Sequence, residues 1–337
     1  MLHLRSHERK PMGLLPMRIF SHVHFSVLVL VVTLSSPTFA RDIFVDNVLG
    51  DDRSDGVRQK GADKQNGPVR SIARAIKLSM FGDRIVLVKT AKPYRESISL
   101  VGKKNSGSRA LPFTIIGNGV TLDGTVPVPD GEWRHYRGSV FYFRLARMGP
   151  QKLFLEGRPA ARVIARRMDE KPPELERLQW CSFKGRIFFR VEDTKLPRDY
   201  DVSYAHARVG LTLFHVQHVV IDDLIVQGFR LDGINAHNSA RGITLVGVTS
   251  RGNGRSGVSV GGASHVKIEA CLLGDNGEAQ LLTLPYSETR IGNSDLIGNT
   301  APAWVDWGGR VWLDGKRVQG GRQEISSHAD KKSANSM

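Results

Sequence analysis

Residues 243–276 read ITLVGVTSRGNGRSGVSVGGASHVKIEACLLGDN, and one pattern passes through them twice. Leu245 and Ile268 stand 23 residues apart, and so do Asn253 and Asn276. Outward from this stretch the pattern holds: Ile221, Leu245, Ile268 and Ile291 follow at intervals of 24, 23 and 23. Two positions before each lie Val219, Ile243, Val266 and Thr289; three positions after lie Leu224, Val248, Cys271 and Ser294. Asn299 extends the asparagine column. Columns that share one period mark stacked units, each able to bury its apolar face only against its neighbours. The apolar runs are short, β-branched and alternating (VVIDDLIV, GITLVGV, HVKIEACLL), with glycine or asparagine between them, which is strand-and-turn chemistry rather than a helical period. A unit of 23 residues divided into three strands with bends makes one coil of a parallel β-helix, with coils ~4.8 Å apart. Stacked asparagine amides would bond one another up the axis, and the hand should be right, as for parallel crossovers generally. A leucine-rich horseshoe competes, but its leucine signature is missing. The expected fold is all-β: a single-stranded right-handed parallel β-helix with an N-terminal capping helix.

That helix comes from NGPVRSIARAIKLSMFGD (66–83), where Val69, Ile72, Ala73, Ile76 and Met80 fall on one face. A helix over 69–81 would cover the open end of the apolar core. Before it lies FVDNVLGDDRSDG (44–56), rich in Asp and Asn. Counted as a calcium loop from Asp51, it places glycine at position 6 but Ala62 where a glutamate is needed at position 12. It reads as a turn, with adventitious calcium and catalysis as weaker alternatives.

The order FVDN (44–47), GDDRSDG (50–56), PVRSIARAI (68–76), FGDRIVLV (81–88), YRESISL (94–100) resembles the N-terminal signature of secreted right-handed parallel β-helix proteins of the pectin-lyase-like superfamily, and is most similar to bacterial alginate-lyase-like and chondroitinase-like members. The resemblance covers about 42–124, and the repeats over 209–308 are similar to the family's coils. It implies the fold and leaves the activity open, since the superfamily holds lyases, hydrolases, epimerases and adhesins.

The apolar run FSVLVLVVTL (25–34) is too short to span a bilayer and suits a signal peptide; Thr38 and Ala40 fit a cleavage site. The expected organisation is a signal peptide over 1–40, cap and first coils over 41–130, a β insertion over 131–208, helix repeats over 209–318 and a disordered tail over 319–337. KLFLEGRPAARV (152–163) and RVWLDGKRV (310–318) each read as a hairpin around an acidic residue and a glycine. Cleavage predicts a secreted or periplasmic protein with no stable membrane insertion, and a monomer is expected. Of the formal charge of +15, the leader carries +3 (Arg5, Arg9, Lys10 and Arg18 against Glu8), which leaves +12. A basic exported protein meets polyanions. Acidic polysaccharide is the expected partner; nucleic acid is not, for want of a zinc spacing, an arginine-rich run or a base-stacking motif. Cys181 and Cys271 fit no metal pattern and read as buried free thiols.

Taking Leu211, Ile234, Val258, Leu282 and Val305 as inward gives one outward column of Thr212, Asn235, Ser259, Thr283 and Asp306, and a second of Phe214, His237, Gly261, Pro285 and Gly308. Gly261 would leave room beside His237. β-Elimination on a uronic acid needs a group to neutralise the carboxylate, a base and an acid. The candidates are His237 as base, Asn235 and Arg241 beside it, and Arg230, Asp232, Arg255 and Ser259 as binding residues. Arginine, the Asn235 amide or a bound calcium ion would do the neutralising, and no protein metal ligands are assigned. Hydrolysis needs two carboxylates flanking the bond, and Asp232 and Asp306 are three coils apart, ~14 Å. Asp222-Asp223 resembles the paired aspartates of the polygalacturonase-like branch, but Arg255-Ser256-Gly257 stands where that branch has Gly-His-Gly. A non-catalytic glycan- or envelope-binding β-helix is the reading from another class.

Overall fold

The computed structural model describes residues 40–61, 65–166 and 168–319. The expected leader and tail lie, apart from Ala40 and Gln319, outside the described residues. No helix among the described residues is long and apolar enough to cross a membrane.

The chain is a parallel β-helix. One long sheet stacks eight parallel strands, and its central column runs Ile43, Ile85, Ile115, Ile221, Leu245, Ile268, Ile291 and Leu313 in register. All but Leu313 are buried to 3% exposure or less, and each such side chain contributes ~1.5–3 kcal/mol of burial. A second sheet stacks six parallel strands in the order Ile98–Val101, Leu211–Phe214, Ile234–His237, Ser256–Val260, Ala279–Thr283 and Trp304–Asp306. Thr249–Arg251, Leu272–Gly274 and Asp295–Leu296 form a shorter third face. Pairing every strand along the axis satisfies the backbone without a free interior edge.

The asparagine ladder forms in part. Asn253 accepts from the Phe229 amide and donates through Nδ2 to Asn276 Oδ1 at 3.1 Å. Asn276 then donates to Gln280 Oε1 at 2.8 Å. Asn299 leaves the column, pairing at the surface with Asp275. Gln280 replaces it because its longer side chain reaches from the next strand and carries the bonding on to the Ala301 carbonyl.

The capping helix is shorter than expected, Ile72–Leu78. Val69 is extended and bridges Val45, and Ser79 turns out of the helix at ψ 152°. The buried face is Ile72, Ala75 and Ser79; Ala73 and Met80 face solvent, correcting the assigned face. Ser71 Oγ accepts the Arg74 amide, and the Glu96 carboxylate accepts those of Ile72 and Ala73.

The acidic stretch 44–56 is a turn system. Asp46 Oδ1 accepts the Val48 and Leu49 amides, Asp55 Oδ1 accepts that of Val57, and Asp52 accepts those of Arg70 and Ser71. Asp51 is held by the Arg53 guanidinium and amide, which keep its carboxyl well below the usual range.

Between the first coils and the repeats, the chain forms two antiparallel four-stranded sheets. One joins Thr125–Pro127, Val202–Ala205, Leu153–Leu155 and Arg158–Pro159; the other joins Trp180–Phe183, Arg186–Arg190, Val140–Arg144 and Arg134–Arg137. They enclose a separate core around Phe143, Trp180, Ile187 and Phe189. Both hairpins read from sequence are present, each turning through two left-handed residues, Glu156-Gly157 and Asp314-Gly315. The lobe seats on the coils at Gly252, where a Cβ would lie 2.7 Å from Phe154 Cζ. Cys181 and Cys271 are free and buried, and burial pushes both thiols up to about 11.

Candidate functional site

Three neighbouring strands of the six-stranded sheet align Ser99, Thr212 and Asn235 on the outer surface, and beside them Val101, Phe214 and His237. Together with Arg208 and Arg255 these strands line a groove of about 460 Å³. Its lining contains no carboxylate.

The fixed point of the groove is beneath it. Asp232 is fully buried and takes four hydrogen bonds. Arg255 donates from Nε at 2.8 Å and from Nη2 at 2.5 Å; Ser256 Oγ donates at 2.7 Å and Asn235 Nδ2 at 2.9 Å. A carboxylate that only accepts forces the amide nitrogen of Asn235 towards it, so the carbonyl oxygen is turned to the groove. Arg255 is clamped in a bidentate fork and its affinity for its proton is raised, first by the hydrogen bonds to Asp232. Nη1 takes no part in the fork. Arg208 has no carboxylate partner among the described residues and is exposed. His237 packs edge-on against Phe214 at 5.1 Å between centroids, which sets its ring plane.

The other expected site residues are placed differently. Asp232 does not reach the groove surface; it positions Arg255 and Asn235. Ser259 is aligned beside Asn235 as expected from the coil spacing, but it is only 2% exposed and does not line the groove. Arg241 opens the next strand of the long sheet, opposite Gln217, away from the groove. Arg230 reaches the other way, donating to the carbonyls of His206 and Met148, and so ties the coils to the inserted lobe. The space expected at Gly261 is filled: a Cβ there would meet Leu284 Cβ at 3.1 Å.

The outward column also slips. Ser259 pairs with Leu282, and Leu282 with Val305, so Leu281 and Trp304 point inward. Thr283 and Asp306 are on the inward register too, bonded to each other at 3.0 Å. The coil step shortens from 24 residues to 23 between Ser259 and Leu282, and one residue reverses every face. Among the described residues no three His, Cys, Asp or Glu side chains converge as a metal site.

A buried lysine escaped the sequence reading. Lys152, at the seam between lobe and coils, is 3% exposed. Burial, with Arg162 close by, pulls its pKa down to about 8, against the attraction of Asp275. Its signal was faint: a single lysine ahead of an apolar strand. A larger cavity, about 1080 Å³, lies by the acidic turns between Asp46 and Lys92, away from the groove.

No family model matches the chain, and no curated protein matches it. Among solved structures it is similar to a glycoside hydrolase, with TM-score 0.53 and 10% identity over 80% of this chain and 74% of that one. It is also similar to a complex of XylC with xylose (0.42, 11%, covering 81% and 69%) and to pectate lyase Pel9A (0.37, 14%, covering 76% and 54%). At these identities the likeness to the glycoside hydrolase speaks to the fold.

Proposed function

We propose that the chain is an exported β-helix protein that binds an acidic polysaccharide in the groove of Arg208, Asn235, His237 and Arg255 and cleaves it by β-elimination. The observation that carries this reading is the Arg255–Asp232 clamp, which aims a rigid guanidinium into a cleft lined by a histidine and no carboxylate. A uronate carboxylate on Arg255 Nη1 and Arg208 would lose enough charge for its α-carbon to become acidic. His237 takes that proton, the C–H electrons form the double bond, the C–O bond to the leaving sugar breaks, and the proton goes to the leaving oxygen. The Asn235 carbonyl oxygen accepts from a sugar hydroxyl and thereby sets the register. Retaining or inverting hydrolysis needs two carboxylates in the cleft, and the lining supplies none.

A second reading, binding without cleavage, is favoured by one feature. The lining holds no lysine, tyrosine or acid to protonate the leaving oxygen, so one imidazole would have to take the proton and return it. Incubation with alginate, pectate and chondroitin, following the unsaturated product's absorbance and new reducing ends together, separates the readings. Both signals are expected. Reducing ends alone would mean hydrolysis; binding with neither would mean a glycan-binding protein.

A further inference from the structure

The face of the second inserted sheet that bears Phe188 and Cys181 is packed with Leu175 into a small core, and its uncovered end carries an arrangement that a protein folding for its own sake would avoid. Arg144 and Arg186 stand directly opposite each other across antiparallel strands. Like charges in that position are destabilising, and among the described residues neither has a carboxylate partner. Lys184, in the adjoining turn, adds a third cation, its Nζ bonded to the Glu170 carbonyl. Tyr142 lies next to this pair on the same face, with the Arg186 guanidinium 5.0 Å from its ring centre. Lys184 sits over Phe183 at 4.9 Å, and Arg137 over Tyr136 at 5.9 Å.

We propose that this end of the face is a second binding surface for an acidic polysaccharide, with a carboxylate or sulfate seated between Arg144 and Arg186. Directly opposed residues have Cβ atoms ~5 Å apart, so one anion can take a charge-assisted hydrogen bond from each guanidinium. That removes the repulsion and makes binding cooperative between the two arginines. The aromatic rings favour a glycan over single-stranded nucleic acid: cations already cover them, whereas base stacking needs an open ring face. The surface shares only the ligand class with the groove, so either can fail alone. Its consequence is retention: a chain held on the lobe is kept near the coils.

The test measures binding to immobilised polygalacturonate across a salt series, with soluble dextran and single-stranded DNA as competitors. Replacing both residues (Arg144→Gln with Arg186→Gln) should weaken binding about tenfold and flatten its salt dependence. The melting temperature should hold or rise, because a repulsion is removed; a structural role would lower it. Arg144→Lys with Arg186→Lys should keep most of the affinity. Arg208→Gln, in the groove, should weaken binding by its own increment, and adding the double glutamine change to it should lower affinity by the same further factor as in the wild type. Unchanged affinity in the double glutamine variant overturns the proposal, as would a lowered melting temperature or single-stranded DNA competing as well as polygalacturonate itself.

Discussion

Replacing Lys152 with methionine should stabilise the protein at neutral pH. The side chain is 3% exposed, and burial depresses its pKa from 10.5 to about 8. Below about 8 the folded protein holds a buried charge and the destabilisation is complete. Between about 8 and 10.5 the unfolded chain binds more protons than the folded one, so stability rises with pH; above 10.5 the penalty is gone. At 1.36 kcal/mol per pKa unit, the shift corresponds to about 3 kcal/mol. Cys181 and Cys271 act in the opposite sense: their folded pKa values, raised from 9.0 to about 11, remove stability as pH climbs through that interval. The difference between wild type and Lys152→Met cancels the thiols. Urea unfolding of both proteins at about pH 7 and about pH 10 should show the variant ahead by about 3 kcal/mol at the lower pH, with most of that lead lost at the higher. Equal offsets at both pH values, or a wild type more stable at neutral pH, would refute the buried-charge reasoning.

Asp232→Ala should strand the Arg255 fork and release Asn235, lowering stability by ~2–4 kcal/mol by denaturant melt and abolishing polyuronate binding in the groove. Asn253→Ala leaves the Phe229 amide without its acceptor inside the stack, while Asn276 Oδ1 keeps the backbone amide of residue 253, an expected loss of ~1–3 kcal/mol in the same assay. Gly277→Ala would put a Cβ 1.9 Å from the Gly254 carbonyl oxygen, so the expected product is insoluble or lacks a cooperative thermal transition. Ser71→Ala should cost about 1 kcal/mol through the lost helix cap, read as a small drop in urea midpoint.

The coil repeat was legible because Ile221 through Ile291 recur without interruption, and each pair is found stacked. The same column continues to Ile115, but 106 residues separate Ile115 from Ile221, and no fixed period survives such an insertion. A step of 23 rather than 24 residues at Leu282 was enough to misplace Thr283 and Asp306, since strand faces alternate residue by residue. In the groove, Asn235, His237 and Arg255 come together as their shared coils imply. Arg208 was not, because it precedes the first repeat and reaches the groove from its rim. Nor could spacing show that Asp232 would be sealed beneath Arg255, or that Arg241 would turn onto the next face; bends, not periods, decide both. The helix face was misread because Val69 belongs to a β-bridge, which shifts the start of the helical count.

In the proposed function Arg255, held by Asp232, receives the carboxylate of an acidic glycan beside His237. A crystal structure with a bound uronic-acid oligosaccharide tests it most directly. Sugar density is expected along the strands of Thr212 and Asn235, with a carboxylate on Arg255 and the adjacent α-carbon facing His237. An oligosaccharide seated only on the inserted lobe, with the groove empty, would contradict it.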